Sequence, residues 1–173
     1  MSEEFARINP KRKVPVLAVS DQVITEMPAI LTYISALRPD RKLFGQSTIE
    51  TVRAYEWLNY LYGTLHLQRY GGLWRPERFV GDEFMYTVLI EKARQTIEDC
   101  YAFIDEKLKQ SGAIFSVGDY FTGVDAFLLV FYLRGIRINV DMDGRYPSYA
   151  ALAHNLLRRD PVIEAHKVHV QMC

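Results

Sequence analysis

The chain has 173 residues, 49% of them hydrophobic and 24% charged, enough for one compact globular unit or two small ones. Its 21 basic and 21 acidic residues cancel to zero formal net charge, which removes the overall positive field that would draw nucleic acid or an anionic membrane. No apolar run approaches the roughly 20 residues of a spanning helix, and the N-terminus lacks a signal-peptide core. The two cysteines, Cys100 and Cys173, have neither disulfide-framework nor metal-site spacing, so a reducing, cytoplasmic setting with small-molecule or protein partners is expected.

From Asn9 to Leu37 the chain packs two strands and a helix start into one short run. Val14-Pro15 heads an apolar stretch, and a proline there belongs on a sheet edge. A cis bond at that step would turn the chain and open the Val14 backbone to a ligand. Gln22 to Ile24 reads as a second strand after the Ser20-Asp21 turn. Thr25-Glu26-Met27-Pro28 then reads as a helix start with Thr25 as N-cap and Pro28 in the first turn. Unpaired N–H groups and the positive dipole end at that point favour a carboxylate. The same letters also fit ordinary strand–helix packing in an unrelated α/β unit.

Residues 38–47 are charged, contain Pro39 and end near Gly45, the pattern of an interdomain linker. Beyond them everything reads as helix. Ile49, Val52, Tyr55, Leu58 and Leu61 recur at helical spacing in a helix from Thr48 to Tyr70, which Gly71-Gly72 should end. On it Glu56, Asn59, Gly63, His66 and Tyr70 fall within roughly 80° of one face at about 100° per residue. Gly63 in mid-helix costs about 1 kcal/mol against alanine, reasonable where something approaches the backbone. Solvation of Asn59 and His66 is the plain alternative. Tyr60, Tyr62, Tyr70 and Trp74 make an aromatic wall compatible with many apolar ligands. A long amphipathic helix is expected from Asp82 to Lys109, ending near Gly112.

In Gly118 to Gly135, Thr122 and Asp125 stand in the capping-box relation, with Phe121 and Ala126 at hydrophobic-staple positions. The body, Ala126 to Leu133, is apolar all round, which predicts a buried central helix stopped by Gly135. Arg134, Arg137 and Arg158-Arg159 suit helix C-termini. His154, His166 and His169 read as surface groups. Phosphate loops, zinc motifs and serine elbows are absent from the sequence.

Asn9, Pro10, Val14, Pro15, Leu17, Glu26, Ala29, Ile30 and Tyr33 together resemble the "NPxGxVPxL…xExxAIxxYL" run of cytosolic glutathione transferases. The element around Thr122 and Asp125 resembles that family's core-helix start, and "EWLNYLYGTLH" resembles a run of its bacterial beta class. The resemblance extends from Phe5 to about Pro161. It implies a mostly α fold: an incomplete thioredoxin-like α/β unit of two strands and a helix in residues 1–37, then an all-helical domain in residues 48–173. It further implies glutathione as co-substrate, held by Lys13, Val14, Pro15, Glu26 and Met27, and a hydrophobic electrophile near Asn59, His66 and Tyr70. A homodimer is implied too, with Phe44, Tyr55 and Tyr86 as candidate contact residues.

Two departures stand out, Arg12 where the family usually has glycine and Met27 where it usually has the serine that helps hold the γ-glutamyl carboxylate. The family's opening β-α-β unit needs on the order of 30 residues. Only four residues precede Phe5, so no position here matches its catalytic tyrosine, serine or cysteine. The resemblance therefore implies either a transferase that is weak or inactive in this shortened form, or a non-catalytic module for dimerisation or protein binding.

Overall fold

The computed structural model describes residues 2–172. The side chains of His166 and His169 lie outside the described residues. A short helix α1 (Glu3–Ile8), which the sequence pattern had not indicated, opens the chain. The Ser2 hydroxyl accepts from the Phe5 N–H at its start, and Glu3 and Glu4 sit in its first turn, where the helix dipole favours negative charge.

Strands β1 (Val16–Val19) and β2 (Gln22–Thr25) pair antiparallel with Val16 opposite Thr25 and Val19 opposite Gln22. Ser20, at φ 53°, makes the tight reversal between them. Helix α2 (Met27–Leu37) follows at once and buries Ile30. Thr25 is the last strand residue and not the helix cap. Glu26, at φ 70°, occupies the cap position, with its side chain engaged elsewhere.

The linker is a packed strap. It contains a single 3-10 turn (Pro39–Arg41) and anchors through Phe44, which is buried against Tyr55 with ring centroids 5.0 Å apart. Phe44 is therefore core, unavailable as a dimer contact. The Leu43 carbonyl accepts from the Gly123 N–H at 2.9 Å, tying the strap to the start of the central helix.

Helix α3 (Thr48–Asn59) starts in a capping box formed by Ser47 and Glu50. It runs without a break into a wide-turned π-helical segment, Tyr60–Tyr70, and then into α4 (Gly71–Trp74). The Gly71-Gly72 pair does not end the rod. The Gly71 N–H donates to the carbonyls of Gln68 and His66, and both glycines remain helical. Beside Gly63 the space is open to 4 Å, so no neighbour requires a glycine there.

After two 3-10 turns (Pro76–Arg78 and Glu83–Met85), α5 (Tyr86–Ser111) presents its apolar stripe to the core and stops at Gly112, φ 60°. Helix α6 (Gly123–Arg137) is the most buried element, with eight buried residues. The Asp125 carboxylate accepts from the Thr122 N–H (2.7 Å), the Thr122 hydroxyl (2.9 Å) and the Ser116 N–H (2.8 Å). Ala126 is exposed and forms no staple, while Phe121 packs on Phe115 and beneath Arg159. Gly135 lies within α6 instead of stopping it, because a Cβ there would come 2.4 Å from Met142 Sδ.

Helices α7 (Met142–Arg145), α8 (Pro147–Leu157) and α9 (Asp160–Met172) complete the order. The centre is rich in buried phenols, whose hydroxyls need partners. Tyr101 donates to the Phe131 carbonyl at 2.8 Å and Tyr149 to the Leu128 carbonyl at 2.6 Å, both on α6.

Candidate functional site

The loop before β1 is built on a buried asparagine. The Asn9 side chain donates to the Lys13 carbonyl at 2.6 Å and accepts from the Lys11 N–H at 3.2 Å, closing the backbone into a turn. Arg12 sits inside that turn at φ 51°, left-handed backbone that a glycine adopts without steric cost. The turn delivers Lys13 and Val14 to the surface, with Val14-Pro15 cis. Among the described residues, neither the N–H nor the C=O of Val14 has a hydrogen-bond partner.

Opposite stands the start of α2. Glu26 turns its carboxylate between the Lys11 ammonium and the Tyr62 hydroxyl of the π-helical segment. The hydrogen bond from Lys11, then that from Tyr62, holds its pKa below the usual carboxylate range. Burial and the same bond to Glu26 push Tyr62 up to about 12, so near neutrality the pair is a carboxylate and a neutral phenol. The first turn of α2 has no side-chain cap, which leaves its leading N–H groups unpaired.

The third wall comes from the helices. Arg134 donates from Nη1 to His66 Nδ1 at 2.8 Å, which places the imidazole proton on Nε2. Burial, reinforced by the Arg134 and Lys13 charges, lowers the His66 pKa to about 4. Phe127, Val130 and Arg134 lie along the open side of α6. Its all-round apolar sequence thus serves two surfaces, the core on one side and the wall of a cleft on the other.

These walls enclose a cleft of about 530 Å³. Lys13, Val14, Pro15, Glu26, Met27 and His66 all line it, together with Tyr62 and Arg78. Asn59 does not; it is exposed and makes no side-chain hydrogen bond among the described residues. Tyr70 is fully buried with its hydroxyl on Tyr101, and it borders an adjoining hollow instead of this cleft. Sequence reasoning placed Tyr62 in an aromatic wall without its carboxylate partner, and read Arg134 as a helix-end charge. A phenol and an arginine that reach one cleft from separate helices carry no local sequence signal.

The sequence pattern described as "Glutathione S-transferase, N-terminal domain" matches residues 1–37. Glutathione S-transferase GstA of Escherichia coli O157:H7 is 29% identical over 165 residues, spanning 94% of this chain and 77% of that protein. A glutathione transferase homolog from Sulfitobacter superposes with a TM-score of 0.89 at 21% identity, over 97% of this chain and 79% of that one, a likeness of fold. A sphingomonad glutathione S-transferase complexed with glutathione superposes at 0.80 with 26% identity, over 96% of this chain and 78% of its own. Two strands and a helix of thioredoxin-like type followed by a helical bundle make the chain similar to these glutathione S-transferases, in sequence over most of its length and in fold.

Proposed function

We propose that the cleft binds glutathione and presents its sulfur to a hydrophobic electrophile. The observation that carries this reading is the unpaired Val14 backbone facing the uncapped first turn of α2 across a cleft in which Glu26 is fixed as an anion. An extended peptide is satisfied by such a backbone edge, a carboxylate by free helix N–H groups, and an α-ammonium by a buttressed carboxylate. Glutathione carries all three features. A relative solved with glutathione, at 26% identity, supports the choice of ligand.

In this reading Val14 and Pro15 hold the cysteinyl segment, Glu26 and the Met27 turn hold the γ-glutamyl end, and Lys13 supplies a cation at the border. Met27 offers backbone alone where a hydroxyl would add a further bond. His66 and Phe127 form the wall on the electrophile side. In the reaction the thiol proton passes to solvent, the thiolate sulfur forms a C–S bond, and the leaving group departs with the electron pair of the bond that breaks. The cations around the cleft favour the thiolate. Residues 1–37 act as the glutathione-binding domain and residues 48–173 as the helical domain of a cytoplasmic homodimer, for which the exposed Phe84, Met85 and Val88 offer apolar contact surface.

The hydroxyls that line the cleft belong to Thr25 and Tyr62, and Tyr62 is raised to about 12. Neither is an acidic donor for a thiolate, so binding by these residues outlasts catalysis. That observation also favours a second reading, a non-catalytic binding or dimerisation module. Calorimetry with glutathione, paired with a conjugation assay on a generic aryl halide, separates the cases. Saturable glutathione binding with weak turnover is expected, reduced about tenfold or more by Glu26→Ala, which removes a charge-assisted contact. Absence of binding would leave the interaction module.

A further inference from the structure

Beside the cleft lies a second hollow of about 850 Å³, continuous with it through Lys13, His66, Leu67 and Arg78, which line both. Its walls combine the aromatic side chains of Trp74 and Phe79 with the cations Lys13, Arg75, Arg78 and Arg137. No carboxylate lines it. None of those four cations forms an ion pair among the described residues, although Lys11, Arg12, Arg38 and Arg53 elsewhere on the chain all do. Arg134, on the wall of the cleft, is likewise without an acidic partner among the described residues and stands 5.4 Å from the Trp74 ring of the hollow.

Unpaired guanidinium groups converging on an aromatic hollow leave a positive potential that a neutral apolar substrate does not use. The depressed pKa of His66 is an independent sign of that field, since Arg134 and Lys13 are two of its causes. An aromatic ring meets Trp74 and Phe79 by stacking, and a carboxylate on that ring meets guanidinium in bidentate fashion.

We infer that the electrophile taken by this site is an aromatic compound bearing a carboxylate, its ring against Trp74 and Phe79 and its anionic group on Arg75, Arg78 and Arg137. The inference rests on the reading of the cleft as a glutathione site, because only a sulfur held there puts an attached ring in the hollow. Arg75 and Arg137 line the hollow alone, so they set the preference for charge without touching the cleft.

Calorimetry with three ligands tests this: glutathione, S-benzylglutathione and S-(4-carboxybenzyl)glutathione. The carboxylated conjugate should bind about tenfold or more tightly than the benzyl one at low salt, an advantage that shrinks as salt screens the exposed arginines. The double variant Arg75→Gln/Arg137→Gln should lose most of that preference while glutathione alone reports an intact cleft. Equal affinity of the two conjugates, with glutathione still bound, overturns the inference by itself. A preference that survives the double variant overturns the role given to the arginines. Failure of glutathione to bind overturns the reading of the cleft, and the inference falls with it.

Discussion

Among the described residues up to Leu37 the only buried side chains are Asn9 and Ile30, whereas α6 alone buries eight residues. The helical region is held by packing, the N-terminal layer by a few polar ties across a seam: the Tyr62 hydroxyl to Glu26, itself buttressed by Lys11 within the layer, and the Thr32 hydroxyl to the Tyr55 hydroxyl at 2.7 Å. A two-stranded sheet is marginal in water without such support. The elements proposed to bind glutathione thus sit on the layer with less burial, where local opening costs least, and borrow rigidity from the helices behind.

The largest expected break of that contrast is at the centre of the helical region. Asp125→Ala leaves the Ser116 N–H, the Thr122 N–H and the Thr122 hydroxyl without an acceptor, all in or next to a buried site. Burial raises the Asp125 pKa while the bonds from Ser116 and Thr122 pull it down, so those bonds are what makes a carboxylate tolerable there. Orphaned buried donors cost about 1–3 kcal/mol each and a lost cap about 1, so a total of about 3–5 kcal/mol is expected. That is a large part of the roughly 5–15 kcal/mol of a typical domain. Denaturant unfolding measures it, and Asp125→Asn, which keeps an acceptor oxygen, should lose much less. A cost under about 1 kcal/mol for the alanine variant would show that water replaces the carboxylate and that the core is less closed than described.

Next in size is a pair of glycine substitutions with opposite signs. At Gly135 a new Cβ meets Met142 Sδ at 2.4 Å and Tyr101 Oη at 3.1 Å, so Gly135→Ala should destabilise by about 1–3 kcal/mol through overpacking. At Gly63 nothing stands within 4 Å, so Gly63→Ala should be neutral or stabilising by up to about 1 kcal/mol. Thermal denaturation of both variants reads the difference. Equal shifts would mean that the density of the α6–α7 contact does not govern stability.

Legibility in the sequence follows the same division. Asp125 with Thr122, the Val14-Pro15 step and the acidic start of α2 are local arrangements within a few residues, and local spacing encodes them. The position of Asn59 was not legible because a face computed at 3.6 residues per turn assumes an α-helix throughout, and the π-helical segment Tyr60–Tyr70 changes the phase. Gly135 looked like a stop signal, yet its reason is Met142 across a turn of chain. Phe44 looked like surface because it lies in a charged strap, and only the tertiary contact with Tyr55 reveals it as core. The hollow beside the cleft escaped for a related reason, since Lys13, Arg75 and Arg137 come together from three separate elements.

The smallest effect concerns the seam itself. Burial and the facing cations Arg134 and Lys13 keep His66 neutral, with a folded pKa of about 4 against the ordinary value of 6.5. The sign follows from which state takes up the proton. Above pH 6.5 the imidazole is neutral in both states and contributes no pH slope. Between about 6.5 and 4 the unfolded chain binds the proton and the folded chain does not, so stability falls as the pH falls through that window. Partial exposure and solvent screening keep the change modest. His66→Gln removes the titrating group while retaining a side-chain oxygen that can accept from Arg134. The variant should lose less stability than the parent between pH 7.5 and pH 5, a range above the Glu26 titration, as followed by urea midpoints at constant salt. Equal pH slopes in parent and variant would mean that His66 takes up its proton in the folded chain as readily as in the unfolded one. The seam would then be open to water, and the positive field assigned to this side of the cleft would not reach its nearest imidazole.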